Sequence, residues 1–411
     1  MRRCRSALLF LFLVPATTQA FEAIDSLRFP SSGVFPAYPS EGGLPRNLWV
    51  QVGLLHDDNI LRRGAGAEES ETVARVGAGA SVDARLWGRQ SVHLEARGDG
   101  YKFQNFSELD HFAYGLLGEL RWELGNALGG TLGYERRHYL IDLAERLTVV
   151  RDAVTENHYF ARAGYRLTPR WRLRGALDHV DLDRPEFTAA GTQVSSVVGG
   201  IDYVTPLGNA IGVEARHSEG DAPVDERIDP LGVAVSNDYE EREIAAVLTY
   251  LPSAQLRVAG RLGHTERTYS VLSNRNFDGA TGRLDLEWRP GTKTTLAFSA
   301  YRVPRSIVDV GASHVVINGV SFGPSWAPTV KLVFGARLLK EDREYAGDPG
   351  VALGVGTLRE EVVRAWRFTA GWEITRHYQL AAAFETGERS SNILGLDYDY
   401  RTVMANLRYN F

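Results

Sequence analysis

The chain has 411 residues, a formal net charge of −5, 24% charged residues and a mean hydropathy of −0.21. After the N-terminus no stretch approaches the roughly 20 apolar residues that a membrane-spanning helix needs, which excludes a helix-bundle membrane protein. The balance of charge is mildly acidic, whereas nucleic-acid binding usually shows as a basic patch. We therefore predict no nucleic-acid partner.

The first 45 residues differ from the rest of the chain. Residues 1–20 combine a basic start, an apolar run and a small-x-Ala site at Thr18-Gln19-Ala20, which predicts a cleaved secretory signal peptide. The only cysteine, Cys4, lies inside this peptide, so we expect no disulfide and no thiolate chemistry afterwards. Residues 21–45 are rich in proline and predict an extended periplasmic segment, which plugs a pore, meets an export partner or acts as a tether.

Residues 46–411 are predicted to form a series of β-hairpins. Eight short turns alternate with longer polar connections such as those at Gly64–Glu71 and Asp142–Thr155. Eight turns with two strands each, plus one strand at either end, give about eighteen strands. Short turns on one side and long loops on the other are typical of outer-membrane barrels. The predicted fold class is all-β: a transmembrane antiparallel up-and-down outer-membrane β-barrel of about 18 strands. A β-propeller is the alternative, but its blades would need four strands per repeat.

Alternation within the strands supports this fold. In the last strand Val403, Leu407 and Phe411 share one face, opposite Asn406 and Arg408. A soluble β-sandwich explains any single strand of this kind, because its charged faces meet water. It explains less well a charged face that runs through most of about eighteen strands with aromatic residues near their ends. Aromatic girdles at the two membrane interfaces account for that pattern.

The charged positions are expected to face inward, because a closed sheet of this size leaves an aqueous lumen. Charged rings set the selectivity of pores, although the mixed signs here argue against a strict filter for anions or cations. We expect most of these side chains to brace the wall as ion pairs and some to contact an anionic or hydroxyl-rich solute. The candidate pore-lining residues are Arg75, Arg85, Glu95, Arg97, Glu119, Arg121, Arg162, Arg172, Arg174, Arg216, Arg257, Arg261, Arg337, Arg367 and Arg408.

Signals for catalysis are weak. Gly319-Val-Ser-Phe-Gly323 matches the G-x-S-x-G pattern of serine hydrolases, but that motif needs a strand, a sharp turn and a helix. Scattered histidines give no metal-ligand spacing. We predict no enzyme activity, no metal and no cofactor. Trp49 and Tyr301 fall on the inward phase, where we expect them to fill gaps rather than to form a sugar-binding track.

Two segments resemble a known family. Leu55-His-Asp-Asp-Asn-Ile-Leu-Arg62 and Leu396-Asp-Tyr-Asp-Tyr-Arg401 are similar to the corresponding parts of the β-barrel porin 2 family. Within it, the chain looks most like the outer-membrane component of exopolysaccharide operons of the type associated with exosortase B. The resemblance implies transport of a polysaccharide and assigns no catalytic residue. From the residues alone, Asp57-Asp58-Asn59 is expected to form a strand-end turn rather than a ligand site.

These observations predict a channel in the bacterial outer membrane that exports an extracellular polysaccharide. Alternatives are a general or oligosaccharide uptake porin, an outer-membrane enzyme and a barrel that only scaffolds a secretion complex. The expected partners are the lipid bilayer, the polysaccharide and, in addition, periplasmic export proteins. The final strand resembles the insertion signal of outer-membrane barrels, which predicts contact with the barrel-assembly machinery through Phe411.

Overall fold

The computed structural model describes most of the chain from residue 46 onward. It covers residues 46–140, 151–185, 191–221, 227–228, 234–236, 238–270, 276–306, 314–346 and 358–411. The predicted signal peptide and the proline-rich segment lie outside these residues. Among the described residues, no helix is both long enough and apolar enough to cross a membrane.

Eighteen antiparallel strands form one closed sheet, which confirms the predicted fold and strand number. The sheet closes because β1 pairs with β2 on one edge and with β20 on the other. Two short strands, β10 and β11, pair only with each other. The bounds are β1 Arg46–Asp57, β2 Glu71–Arg85, β3 Ser91–Phe103, β4 His111–Leu124, β5 Leu128–Leu140, β6 Ala153–Arg166, β7 Trp171–Asp183, β8 Thr192–Val204, β9 Ala210–Asp221, β10 Arg227–Ile228, β11 Ala234–Val235, β12 Tyr239–Ser253, β13 Leu256–Tyr269, β14 Phe277–Trp288, β15 Thr294–Ser306, β16 His314–Thr329, β17 Leu332–Ala346, β18 Glu360–Glu373, β19 Tyr378–Ser391 and β20 Tyr398–Asn410.

The outer surface carries an apolar belt. Along β1 the outward side chains Leu48, Val50, Val52 and Leu54 are all exposed, whereas the residues between them are buried. Four outward positions span about 20 Å at ~3.3 Å per residue, close to the height of the apolar band of outer-membrane barrels. Exposed aromatic side chains mark the end of the belt next to the short turns: Tyr165, Trp171, Tyr250, Trp288, Trp326, Trp372 and Tyr378.

Beyond the belt the outer surface becomes polar, so the strands continue above the membrane. The next outward positions hold charged residues or histidine: His56, Arg242, His264, Arg302, Lys340, Arg364 and Arg401. Because the short turns of such barrels are periplasmic, this polar end is the extracellular one.

Two strands with irregular sequence patterns, β7 and β16, are both paired on each side within the sheet. β7 pairs along its length with β6 and β8. β16 contains Pro324, which is tolerated because the paired register with β17 passes from Phe322 directly to Ser325. Proline has no N–H to donate, so a strand tolerates it where the hydrogen bonds to the neighbouring strand are interrupted.

Candidate functional site: the inner wall of the barrel

All fifteen candidate residues lie on inward-facing strand positions, as the strand registers place them opposite the apolar outer face. Contacts between strands that are not neighbours identify the concave side. Arg174 of β7 reaches Glu214 of β9 at 2.8 Å, and Tyr301 of β15 reaches Glu341 of β17 at 2.6 Å. Only the inner surface of a closed sheet brings such side chains together.

Five of the candidates lie within or beside one network on β6 to β13: Arg162, Arg172, Arg174, Arg216 and Arg261. Asp202 accepts a hydrogen bond from Arg172 at 2.7 Å and forms an ion pair with Nε of Arg174 at 2.7 Å; Arg174 in turn donates to Glu214. Arg261 then connects Glu214 at 3.3 Å with the next acid along the wall, Glu243, at 2.8 Å. We call the chain of alternating charges the charged arc: Arg172, Arg174, Asp202, Glu214, Arg216, Glu241, Glu243, Arg261 and Arg267.

The charged arc holds five arginines against four carboxylates, so it carries a small excess of positive charge. Its carboxylates also satisfy only some of the guanidinium donors. Nε of Arg216, Nε of Arg261 and Nη2 of Arg174 have no hydrogen-bond partner in the described part of the chain. Beside the arc, Arg162 lies 3.7 Å from Asp178, and its Nε is also without a described acceptor.

Other candidates are braced individually elsewhere on the wall. Arg75 pairs with Asp99 at 2.9 Å, Arg121 with Glu119 at 2.5 Å, and Arg367 with Glu385. The remaining acid, Glu95, lies 4.0 Å from His93. These pairs agree with the expectation that most of the charges hold the wall together.

Three arginines are not braced in this way. Arg85, Arg97 and Arg257 make no ion pair within the described part of the chain. Arg85 is exposed at the short-turn end of β2, whereas Arg97 and Arg257 are half-buried on β3 and β13. Unpaired guanidinium groups facing the lumen are the side chains most available to a passing anion.

Like charges also face each other across neighbouring strands. Arg261 is the register partner of Arg283, and Arg337 is the register partner of Arg367. Like charges directly opposite on a sheet are destabilising unless other groups compensate them. Asp285 at 2.8 Å from Arg283 is one such group.

On the opposite side of the barrel, the wall is covered by two loops at the extracellular end. Asp57 accepts both guanidinium nitrogens of Arg62 at 2.7 and 2.9 Å, the hydroxyl of Thr402 at 2.6 Å, and the Asn59 N–H at 2.9 Å. The Arg62 guanidinium also lies 3.8 Å above the ring of Tyr400. The first loop is thereby fixed to β20, across the seam where the barrel closes.

The two segments that carry the family resemblance therefore contact each other. Asp58 accepts the Arg401 N–H at 2.6 Å and donates its own N–H to the Arg401 carbonyl at 3.1 Å. Asn59 donates its amide to the Arg63 and Asp399 carbonyls, both at 2.8 Å. The turn predicted for Asp57-Asp58-Asn59 is confirmed, and its additional role is to join the first and last strands.

Beneath this turn the wall is apolar. Ile60 and Leu61 of the first loop and Leu109 of a short 3-10 helix are buried against inward side chains such as Leu55 and Met404. Glu71 anchors the second loop by accepting N–H groups of residues 104–106 at 2.9 to 3.0 Å. We call this region the seam arc: the inner faces of β19, β20 and β1 to β3 with residues 58–70 and 104–110.

The two inward aromatics rest on glycines of the neighbouring strand. A Cβ on Gly79 would lie 2.2 Å from the Trp49 ring, and one on Gly319 would lie 2.2 Å from the Tyr301 ring. Gly319 is thus needed to seat Tyr301, and the G-x-S-x-G match lies inside strand β16 rather than at a strand–helix turn. The guanidinium carbon of Arg408, one of the candidates, lies 4.3 Å from the centre of the Trp49 ring. Trp49 therefore packs against the wall, as expected for a residue that fills a gap.

Five of the nine residues of the charged arc were not among the candidates: Asp202, Glu214, Glu241, Glu243 and Arg267. Of these, Glu241, Glu243 and Arg267 are buried inward partners of Arg216 and of one another. The stretch Glu240-Glu241-Arg242-Glu243 is charged on both faces, because β12 continues above the apolar belt there. Ile244 and Leu248 face outward, so counting alternate residues from them toward the start of β12 would have shown which side chains face the lumen.

The described residues contain no group of histidine and acidic side chains that could hold a metal ion. No family model matches the chain, and no match was found among curated proteins. Solved structures do match. Pseudomonas aeruginosa OccK2 (OpdF) aligns with a TM-score of 0.51 at 11% identity, covering 89% of this chain and 98% of that one. OccK2 in complex with glucuronate aligns with a TM-score of 0.50 at 12% identity and the same coverage.

At this level of identity the likeness is one of fold. It supports the porin barrel implied by the family resemblance, and it does not extend to the exopolysaccharide subfamily. Together, the closed sheet of eighteen strands and its apolar belt identify the chain as a membrane-spanning β-barrel of the bacterial outer membrane.

Proposed function

We propose that the barrel is a passive uptake channel for small hydrophilic solutes and that its wall favours solutes bearing a carboxylate. The observation that carries this proposal is the excess of guanidinium donors on one side of the lumen. The charged arc has five guanidinium groups against four carboxylates, and Arg257 nearby has no ion-pair partner in the described residues. A carboxylate accepts two parallel N–H bonds from one guanidinium, which suits these side chains.

The mixed signs of the wall fit passive uptake. Each arginine of the arc lies beside an acid, so an anion is exchanged between neighbouring guanidinium groups and is not held by one concentrated positive site. Conduction requires binding that is favourable enough for entry and weak enough for exit. The complex of OccK2 with glucuronate, a small sugar acid, gives a barrel of the same fold as a precedent for this solute class.

Export of a polysaccharide, as implied by the family resemblance, is the competing proposal. It would place a long polymer in the lumen, with periplasmic export proteins at the short-turn end. The excess of guanidinium groups on the wall would serve an acidic polymer as well as a small acid. The two proposals differ in the size of solute that the lumen admits, and this difference can be measured.

The test is single-channel recording of the full-length protein in planar bilayers. We expect conductance, permeation by glucuronate in preference to glucose, and no preferential block by acidic polysaccharide. Replacing Arg97 and Arg257 together by glutamine should lower the glucuronate preference up to about fivefold, the effect of roughly 1 kcal/mol from one nearby charge. Arg242→Gln, on the outer face, is the matched control and should leave it unchanged.

Two results would overturn the proposal. A protein that is shown to be folded but does not conduct would be a scaffold or a closed barrel. A channel that is blocked at low concentration by polysaccharide, while glucuronate and glucose permeate equally, would favour export.

A further inference from the structure

The pairing between β14 and β15 stops before the extracellular ends of the two strands. Their register ends at Gly282 and Arg302. Above this point, in the described part of the chain, residues 277–281 pair only with β13 and residues 303–306 pair only with β16. Pro304 lies two residues past the last pair and has no N–H to donate, which a strand tolerates at a free edge. The upper end of β15 therefore separates from its neighbour in the wall.

The first four residues of β16, which pairs with this end of β15, are buried on both faces. Each is at most 4% exposed: His314, Val315, Val316 and Ile317. Farther along β16, a residue in the same phase as Val316 faces the membrane, because Val320 is 45% exposed. A strand in a single-layered barrel wall shows one face to the outside. Another part of the protein must therefore cover the outer face of β16 at its beginning.

The covering element is the inner face of β14. The imidazole of His314 packs against the Phe277 ring in a T-shaped arrangement, with 5.7 Å between the ring centroids. Phe277 faces the lumen, because it is the register partner of the inward Arg267, and Arg267 is close enough to His314 to interact with it electrostatically. The outward side chains of β14 at this height, Asp278 and Ala280, are exposed. Residues 303–306 and 314–317 thus lie on the lumen side of β14, and we call them the inner layer.

An apolar cluster lies on the other side of the inner layer, toward the lumen. It consists of Tyr301, Val315, Ile317 and Tyr345, with Val303 packed against it. The Tyr301 hydroxyl donates to Glu341 of β17 at 2.6 Å, and the Tyr345 hydroxyl donates to Glu361 of β18 at 3.0 Å. These bonds hold the cluster to the wall strands β17 and β18. The inner layer is therefore fixed from both sides, by the cluster and by the contact of His314 with β14.

We propose that the inner layer limits the size of the solutes that the channel admits. Eighteen strands about 4.8 Å apart and tilted by about 40° close into a barrel roughly 36 Å across between backbones. A second layer of strands packs about 10 Å inside the first, so it takes roughly a quarter of that width. The inference rests on the channel function proposed above and adds to it the element that separates small solutes from polymers.

Thiol labelling of the full-length folded protein tests the position of the inner layer without any need for conduction. No cysteine follows the predicted signal peptide, so a single introduced cysteine is the only target. Val316→Cys places it under β14, and Asp278→Cys, the matched control, places it on the exposed outer face of β14. We expect a polar maleimide to modify Val316→Cys about tenfold more slowly, because the reactivity of a thiol follows its exposure.

The size limit itself is measured by single-channel recording with neutral polyethylene glycols of graded mass, which lower the conductance only when they enter the pore. Phe277→Ala combined with His314→Ala removes the contact that holds the layer to β14. We expect this double variant to admit glycols of about twice the mass, because about 10 Å of regained width corresponds to that change for a flexible chain. Tyr114→Ala with His138→Ala is the control, since these stacked rings join register partners on the outer face. It should leave the limit unchanged.

The shift of folded barrels on unheated gels shows whether each variant is folded. Equal labelling of Val316→Cys and Asp278→Cys would overturn the inference, and so would an unchanged size limit in the folded double variant. Absence of a preference for glucuronate would instead overturn the proposed function and leave the size limit standing, because the glycols are uncharged.

Discussion

The seam arc and the charged arc are two halves of one inner wall, and they differ in how the wall is held. In the seam arc, residues separated by more than 340 positions in sequence meet through a buried carboxylate and an apolar cluster. In the charged arc, Arg174, Arg216 and Arg261 each have two acids within ion-pair distance, and several guanidinium N–H groups have no acceptor among the described residues. The first arrangement closes the barrel, and the second leaves a polar surface facing the lumen.

The difference indicates which part of the wall is held rigidly and which part offers its charged groups alternative partners. Asp57 accepts four hydrogen bonds in fixed geometry, so removing it takes one acceptor from the Arg62 guanidinium, the Thr402 hydroxyl and the Asn59 N–H at once. Glu214 shares its two arginines with Asp202 and Glu243, so each arginine keeps an alternative partner. Mutations should therefore affect stability at the seam and selectivity in the arc.

The largest effect is expected from Asp57→Ala. This change removes the buried carboxylate that pairs with the nearly buried Arg62 guanidinium, and breaking a buried pair in this way costs about 3–5 kcal/mol. Arg62 is also held at φ 54°, a left-handed conformation that the ion pair stabilises. We expect a clearly lower urea midpoint in lipid vesicles.

Asp83→Ala is the control for that measurement. Asp83 faces inward on β2 and contacts His93 at 3.0 Å, but its side chain is 54% exposed. Its removal should change the midpoint little. An equal effect of the two changes would contradict the special role of the seam.

Gly79→Val should have the next largest effect. The new side chain would occupy the space of the Trp49 ring, and overpacking of this kind costs about 1–3 kcal/mol. Gly199→Val is the matched control, because nothing lies within 4 Å of a Cβ at that outward position. If both variants unfold at the same urea concentration, the seating of Trp49 on Gly79 contributes nothing to stability.

The sequence was sufficient to predict the barrel, its strand number and the inward phase, because a lipid-facing strand must alternate within the belt. It failed where the strands rise above the belt. There Arg242 and Glu243 are both charged but face opposite sides of the sheet. The polarity of a residue therefore no longer indicates whether it faces the lumen or the outside. Pairings such as Asp57 with Thr402 were also inaccessible, since they depend on closure of the sheet and not on local pattern.

Glu214→Gln, in the charged arc, should change stability least. Arg174 keeps Asp202 at 2.7 Å and Arg261 keeps Glu243 at 2.8 Å, so neither guanidinium becomes an isolated buried charge. The glutamine oxygen still accepts one hydrogen bond, and the expected loss is about 1 kcal/mol or less. The removed negative charge should instead raise the preference for chloride over potassium, measured as a shift of the reversal potential in a salt gradient. A large loss of stability without a shift would mean that the arc, like the seam, serves only to brace the wall.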